Sequence, residues 1–219
     1  MEWLDQRENP AIDTPECRAQ LWGIVLAGGL SRRMGGREKA FLTLRGEPLL
    51  THALRRLTPQ TGRIAVNAAG DAARFAPYGV TVIPDRREGH RGPLAGVEAA
   101  FLATGAPWLL TIPVDAPFLP MDLAQRLWQA SDNGQRPTLA RSGGRLHPVF
   151  GLWPRGLLPA IDTALAAGDS PPIQRWSLEQ GAAVVEFPLP PHGPDPFFNV
   201  NAPEDLAQAE AWLAPGAVH

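Results

Sequence analysis

Apolar positions along the chain follow two alternating rhythms. Seven segments of strand length carry continuous or nearly continuous apolar runs: 21-LWGIVLA, 63-RIAVN, 80-VTVIP, 108-WLLTIPV, 137-PTLA, 147-HPVFGLW and 183-AVVEF. A continuous run, as opposed to an alternating one, suits a strand buried on both faces. Between most of these runs, apolar residues recur at helical spacing. Over 47–58 the series is Leu49, Leu50, Ala53, Leu54 and Leu57, and 94–103, 121–130 and 155–167 behave similarly. A last helix is predicted over 203–213. Pro203 stands at its first position, Glu204 and Asp205 lie in its first turn where the helix dipole favours acids, and Leu206, Ala209 and Leu213 share one face. This order predicts an α/β fold with a mostly parallel central sheet and helices on both sides. The stretch 137–153 holds two strands with no room for a helix between them, so a short antiparallel excursion is expected there. In such sheets ligands sit beyond the carboxyl ends of the strands, which directs attention to the loops after 27, 67, 84 and 113.

Composition supports one packed domain and excludes several functions. The 219 residues are 44% hydrophobic and 19% charged, enough for a full core. Residues 1–20 are polar and without periodicity, and are read as a mobile extension or a short surface segment; the domain is expected over 21–213, with a tail at 214–219. A net charge of −2 supplies no global positive field for nucleic acid or an anionic membrane, so neither is expected as a partner. The one cysteine, Cys17, makes no internal disulfide and no thiolate metal site by itself, which fits a reducing compartment. The N-terminus has no apolar signal-like core, and the most apolar stretch, near 106–120, is broken by Pro and Asp. It falls short of the ~18 apolar residues of a membrane span. A cytoplasmic protein is expected.

The first loop reads 26-LAGGLSRRMGGREKA. Gly28, Gly29, Gly35 and Gly36 stand among Arg32, Arg33, Arg37 and Lys39, directly after a buried strand. Glycine lets backbone N–H groups turn toward an anion, and clustered cations neutralise several charges at once. A polyphosphate needs this combination. The spacing is neither that of a Walker loop nor G-x-G-x-x-G. A surface loop with solvated arginines is the bland alternative; its place after the first strand, with Lys39 following, favours the cradle.

The run Leu-Ala-Gly-Gly-x-Ser-Arg-Arg-Met-Gly-Gly-x-x-Lys resembles the signature of the molybdenum cofactor guanylyltransferases, within the nucleotidyltransferases of sugar-phosphate pyrophosphorylase type. The likeness continues through 46-GEPLL, 84-PD, 92-GPLAGV, 113-PVDAPFLP, 147-HPVFGLW and 199-NVNAPEDL, about residues 21–213. It implies a three-layer Rossmann-like nucleotidyltransferase fold. It also implies transfer of GMP from GTP to the terminal phosphate of molybdopterin, with Mg²⁺ as cofactor and a molybdoenzyme or its maturation chaperone as a downstream partner. Residue by residue, Leu26, Ala27 and Gly28 match the backbone contacts to nucleotide, and Lys39 the lysine on the GTP phosphates; Gly29, next in the loop, is expected to bind nucleotide with them. Asn67 and Asp85 match nucleotide-binding positions, and Asp115 the aspartate that binds both Mg²⁺ and nucleotide. Arg32 or Arg33 is assigned to pyrophosphate, and Arg141, Arg145, Asn199 and Asn201 to the pterin substrate. Val114 and Ala116 depart from the neighbours common beside this aspartate, and Glu38 stands where Asp is common before the lysine.

The residues themselves agree with these roles. Asp115 breaks an apolar strand between Pro113 and Pro117, and a hard carboxylate facing a basic loop suits Mg²⁺. The alternative is a turn aspartate capping the next helix, expected near 120–121. For Asp85 the alternative is a local salt bridge with Arg86 or Arg87, and for Asn67 a simple turn. His52, His90, His147, His192 and His219 show no ligand spacing, so zinc chemistry is not expected; His52 and His147 are read as structural and His90 as part of a glycine-rich loop. Ser31 lies in the cradle and not on a nucleophile elbow. Two other functions stay open: a related nucleotidyltransferase using CTP or a sugar phosphate, and a nucleotide-binding regulator without turnover.

Overall fold

The first strand sets the layers. In the computed structural model, which describes residues 12, 14–28, 38–87, 92–166 and 170–214, β1 (Leu21–Leu26) lies inside a seven-stranded sheet with Ile24 and Val25 both fully buried. Ile24 joins one hydrophobic cluster and Val25 another, as opposite faces of a pleated strand must. The strand order is β5 (Thr81–Ile83), β4 (Arg63–Asn67), β1, β6 (Trp108–Pro113), β8 (Arg145–Pro154), β7 (Thr138–Ser142), β9 (Ala183–Phe187). β8 alone among these runs antiparallel to both its neighbours. The other pairings are parallel. The antiparallel excursion predicted for 137–153 is this strand, joined to β7 by a turn at Gly143–Gly144, both with positive φ.

One face of the sheet is covered by α3 (Gly92–Thr104), α5 (Leu158–Ala166) and α6 (Ile173–Glu179), packed on Ile24, Ala65, Leu109 and Trp153. α3 is buried at every position from Leu94 to Phe101, because the sheet lies on one side and α5 and α6 on the other. The opposite face is covered by α2 (Leu49–Leu57) and α4 (Leu123–Gln129), against Val25, Val66, Leu110 and Leu152. Ile12 and Cys17 also join this cluster, and Cys17 lies on α1 (Pro15–Gln20), which runs straight into β1. The packed chain therefore starts before residue 21.

A third cluster is formed by β2 (Thr43–Leu44), β3 (Glu47–Pro48) and α7 (Pro203–Trp212). Leu42, Leu44 and Leu49 pack there with Phe118, Val200, Ala209 and Trp212. The hairpin turn, Arg45–Gly46, has positive φ at both residues, as a two-residue β-turn of this hand requires. Residues 47–48 thus belong to a strand, and the helix predicted from 47 begins at Leu49. α6 has no counterpart in the sequence reading. Among the described residues no helix is long and apolar enough to cross a membrane.

One irregularity shapes the site. β8 pairs with β7 through Leu139↔Gly151 and then Ala140↔His147, so residues 148–150 bulge out opposite a single step of β7. Its pairing with β6 also stops at Thr111↔Gly151. Beyond that point β8 diverges from the carboxyl end of β6, and the Thr111 hydroxyl, instead of a ladder bond, donates to Val149 O at 2.7 Å.

Candidate active site

A cavity of about 340 Å³ opens at the carboxyl ends of β1, β4 and β6. Leu26, Ala27, Gly28, Lys39, Asn67, Asp85 and Asp115 all line it, so the structure gathers every described residue assigned to the nucleotide. Gly29, Arg32 and Arg33 lie outside the described residues, as do His90 and His219. The backbone after β1 stays tied to its neighbours: Ala27 N donates to Asn67 O at 2.8 Å and Val114 N to Leu26 O at 3.1 Å. These bonds fix the floor of the cavity.

Asn67 is an organiser as much as a lining residue. Its amide nitrogen donates to Ile83 O at 3.0 Å and to Asp85 Oδ1 at 2.8 Å, which uses both amide protons. α3 can approach this side chain only because residue 96 is glycine: a Cβ there would overlap Asn67 Oδ1 and come within 2.8 Å of Leu26 Cδ2. Asp85 is therefore aimed by Asn67, and no salt bridge with Arg87 competes for it. Arg87 turns the other way, binding both oxygens of buried Glu98 and, at 2.6 Å, Asp162 on α5.

Asp115 and Lys39 meet across 76 residues of sequence. Lys39 Nζ donates to Asp115 Oδ2 and to Asn201 Oδ1, each at 2.5 Å. The two charged side chains are 16% and 10% exposed, and a carboxylate so far from water needs a counter-cation. The packing of α7 on the β2–β3 hairpin supplies the geometry, since it carries Asn201 to the 3-10 turn at Lys39–Phe41. Asp115 caps no helix: α4 starts only at Leu123, and the backbone carbonyl of Asp115 accepts from Val200 N at 2.9 Å. Among the described residues no three His, Cys, Asp or Glu side chains cluster as a metal cage. A single buried carboxylate, with Asp85 lining the same cavity, is a donor set that fits Mg²⁺, which takes one or two carboxylates and completes its shell with phosphate oxygens and water.

A second cavity, about 280 Å³, shares Pro113, Asp115 and Val149 with the first. Arg145, Leu146, His147, Pro148, Phe150 and Asn199 complete its wall. It exists because the bulge at 148–150 lifts β8 away from the end of β6. Of the four residues assigned to the pterin substrate, Arg145 and Asn199 line this cavity. Asn201 engages Lys39, so alternate residues 199 and 201 serve different neighbours. Arg141 lines neither cavity and faces Glu186 at 3.9 Å on the β7–β9 edge, which removes it from the site as described. Sequence reasoning missed His147 and Val149 as wall residues. The signal was available in Pro148, a residue that cannot donate to a ladder and so marks an irregular strand.

Comparison with known proteins places these features. Residues 23–183 match the model of the MobA-like NTP transferase domain. The chain is 46% identical over 201 residues to the molybdenum cofactor guanylyltransferase of Cereibacter sphaeroides, covering 90% of this chain and 100% of that protein. It is 45% identical over 207 residues to that of Rhodopseudomonas palustris (strain BisB5), covering 92% and 96%. Its fold resembles the crystal structure of molybdopterin-guanine dinucleotide biosynthesis protein A from Archaeoglobus fulgidus, with a TM-score of 0.68 and 21% identity over 86% of this chain and 96% of that one.

Proposed function

This chain belongs to the family of MobA-like NTP transferases, and from that premise we propose that it transfers GMP from GTP to the terminal phosphate of molybdopterin, forming molybdopterin guanine dinucleotide and pyrophosphate. The activity named for its relatives supports this reading. The observation that carries it is the junction at Asp115, where two cavities meet; this reading gives one to each substrate.

The chemistry asks little of acid–base groups. An oxygen of the acceptor phosphate, already ionised, forms a bond to the α-phosphorus of GTP. The bond from that phosphorus to its bridging oxygen breaks, and pyrophosphate leaves with the electron pair. No general base is needed, which agrees with a site lined by Lys39, Asn67, Asp85 and Asp115. Alignment of the two phosphates and stabilisation of developing charge then carry the rate. Lys39 is assigned to the phosphates, and Arg32 or Arg33 to the departing pyrophosphate. Asp115 is the residue that would hold Mg²⁺, which supplies charge neutralisation at phosphate oxygens.

The test is release of pyrophosphate from each nucleoside triphosphate with Mg²⁺, with and without molybdopterin. Release is expected to require both GTP and molybdopterin, with CTP at least ~10-fold slower, a difference of about 1.4 kcal/mol. Equal rates with CTP and GTP would refute the guanylyl assignment. Tight GTP binding with no release under any condition would instead make the chain a regulator.

A further inference from the structure

The second cavity contains a histidine whose tautomer is dictated by its neighbours. Ser142 Oγ lies 2.8 and 2.9 Å from the two oxygens of Asp195 and 2.8 Å from His147 Nε2. A hydroxyl has one proton, and a carboxylate only accepts, so that proton goes to Asp195. Toward His147 the Ser142 oxygen can then only accept. His147 Nε2 therefore carries the ring proton, and Nδ1 is left bare. Asp195 is itself fixed by accepting from Phe197 N at 2.9 Å.

The ring cannot readily turn away. It packs against Phe150 and Phe197, with centroids 5.9 and 4.8 Å away, and those two rings also meet each other at 4.7 Å; the residue is 5% exposed. Burial is the largest influence on its acidity and pushes the imidazolium down from the ordinary histidine range, with Arg145 pushing the same way and Asp195 opposing. No described residue donates to Nδ1. Across the same cavity, Asn199 Oδ1 is buried without a hydrogen-bond partner. Two acceptors without a protein donor on one wall call for a ligand that brings N–H donors, and Arg145 on the same wall can answer that ligand's negative charge.

Resting on the function proposed above, we propose that His147 Nδ1 is a specificity-determining acceptor for a ring N–H or amino group of the pterin, with Ser142 and Asp195 as positioning residues that fix its tautomer. This sets the polarity of the bound acceptor. Its heterocycle lies toward His147 and Asn199, and its phosphate toward the Asp115–Lys39 junction.

The first measurement uses the unaltered full chain. With nitrogen-15 labelled histidine, His147 is expected to show a protonated Nε2 and a bare Nδ1, and the Nδ1 resonance should move on adding molybdopterin but not GTP. A proton on Nδ1, or an Nδ1 that ignores molybdopterin, overturns the proposal. The second is steady-state kinetics. His147→Phe keeps the aromatic packing and should raise the KM for molybdopterin about tenfold, about 1.4 kcal/mol, with the KM for GTP unchanged. His147→Asn, whose amide oxygen can stand near the place of Nδ1, should recover to within about threefold of wild type. Equal loss in both variants, or an equal rise in both KM values, also overturns it. Wild-type protein that makes no guanine dinucleotide sinks the functional reading and this proposal together. Wild-type turnover with an unchanged acceptor KM in His147→Phe removes His147 alone.

Discussion

Replacing Thr111 by Val keeps the shape of a buried β-branched side chain and deletes one hydroxyl. That hydroxyl donates to Val149 O at 2.7 Å and accepts from Trp153 Nε1 at 2.8 Å, so it ties the bulge in β8 to the middle of β6. Thr111 and Trp153 are both fully buried, and in the variant the indole N–H has no acceptor and no route to water. Leaving such a donor unmet costs about 1–3 kcal/mol, and losing the bond to Val149 O, which borders a cavity, adds about 1 kcal/mol. The expected loss is about 2–4 kcal/mol. With a urea slope of about 2–3 kcal/mol per molar, the midpoint should fall by about 1 M. Thr111→Ser keeps the hydroxyl and loses one methyl, about 1 kcal/mol. In a Trp153→Phe background Thr111→Val should cost at least about 1 kcal/mol less, because the orphaned donor is gone. The function should register the same loosening: the KM for molybdopterin rises while that for GTP stays. Thr111→Val and Thr111→Ser melting alike, or a strictly additive cycle with Trp153→Phe, would refute the reasoning.

Four further outcomes are expected. Asp115→Asn should keep the circular dichroism spectrum of the wild type while pyrophosphate release drops at least ~100-fold, the scale on which one aligned charge-stabilising group matters; a variant at full rate removes Asp115 from the site. Gly96→Ala pushes α3 away from Asn67 and should cost about 1–3 kcal/mol in urea melts and raise the KM for GTP, since Asn67 aims Asp85; an unchanged KM would detach Asn67 from nucleotide binding. Arg87→Ala strands the 1% exposed Glu98 carboxylate without its cation, so the urea midpoint should fall, and Glu98→Gln in the same chain should partly restore it; no restoration would mean that the ion pair is not the cause. His147 has its folded-state acidity shifted so that the neutral form is favoured, while the unfolded chain takes up a proton near the ordinary value of 6.5. The unfolded state then binds more protons below that point, so His147 makes stability decline as pH falls from about 6.5, and urea melts of His147→Phe should show a shallower decline than wild type.

Strand content and layer order were legible because continuous apolar runs force burial on both faces, as Ile24 and Val25 show. The first cavity was legible for a related reason. Its residues stand at the carboxyl ends of parallel strands, so position along the chain locates them. The gaps fall where packing, not pattern, decides. α6 is seven residues long, too short for periodicity to separate it from a loop. Glu47 and Pro48 read as a helix start because the apolar series continues into Leu49, yet the left-handed turn at Arg45–Gly46 folds them back onto Thr43 and Leu44. Arg141 looked available because its partner Glu186 lies 45 positions away on a strand whose pairing with β7 no local signal reports.

The rule that sends chemistry to the loops after strands has a built-in blind spot, and the second cavity occupies it. The rule holds for parallel strands, whose carboxyl ends share one edge of the sheet. β8 runs the other way beside β6, so its amino-terminal half, not its carboxyl end, lies next to Asp115. The residues that wall the second cavity are therefore found at the beginning of an antiparallel strand, where a reading by strand ends does not look. The reversal also solves a steric problem. A parallel strand in that place would need a crossover connection arriving from the opposite edge and a loop leaving over the cavity, whereas the two-glycine turn before β8 lets β7 and β8 supply Ser142 and His147 from adjacent backbones. The two cavities meet on one carboxylate, Asp115. Reversing one strand and bulging it by three residues is how this sheet makes room for the second.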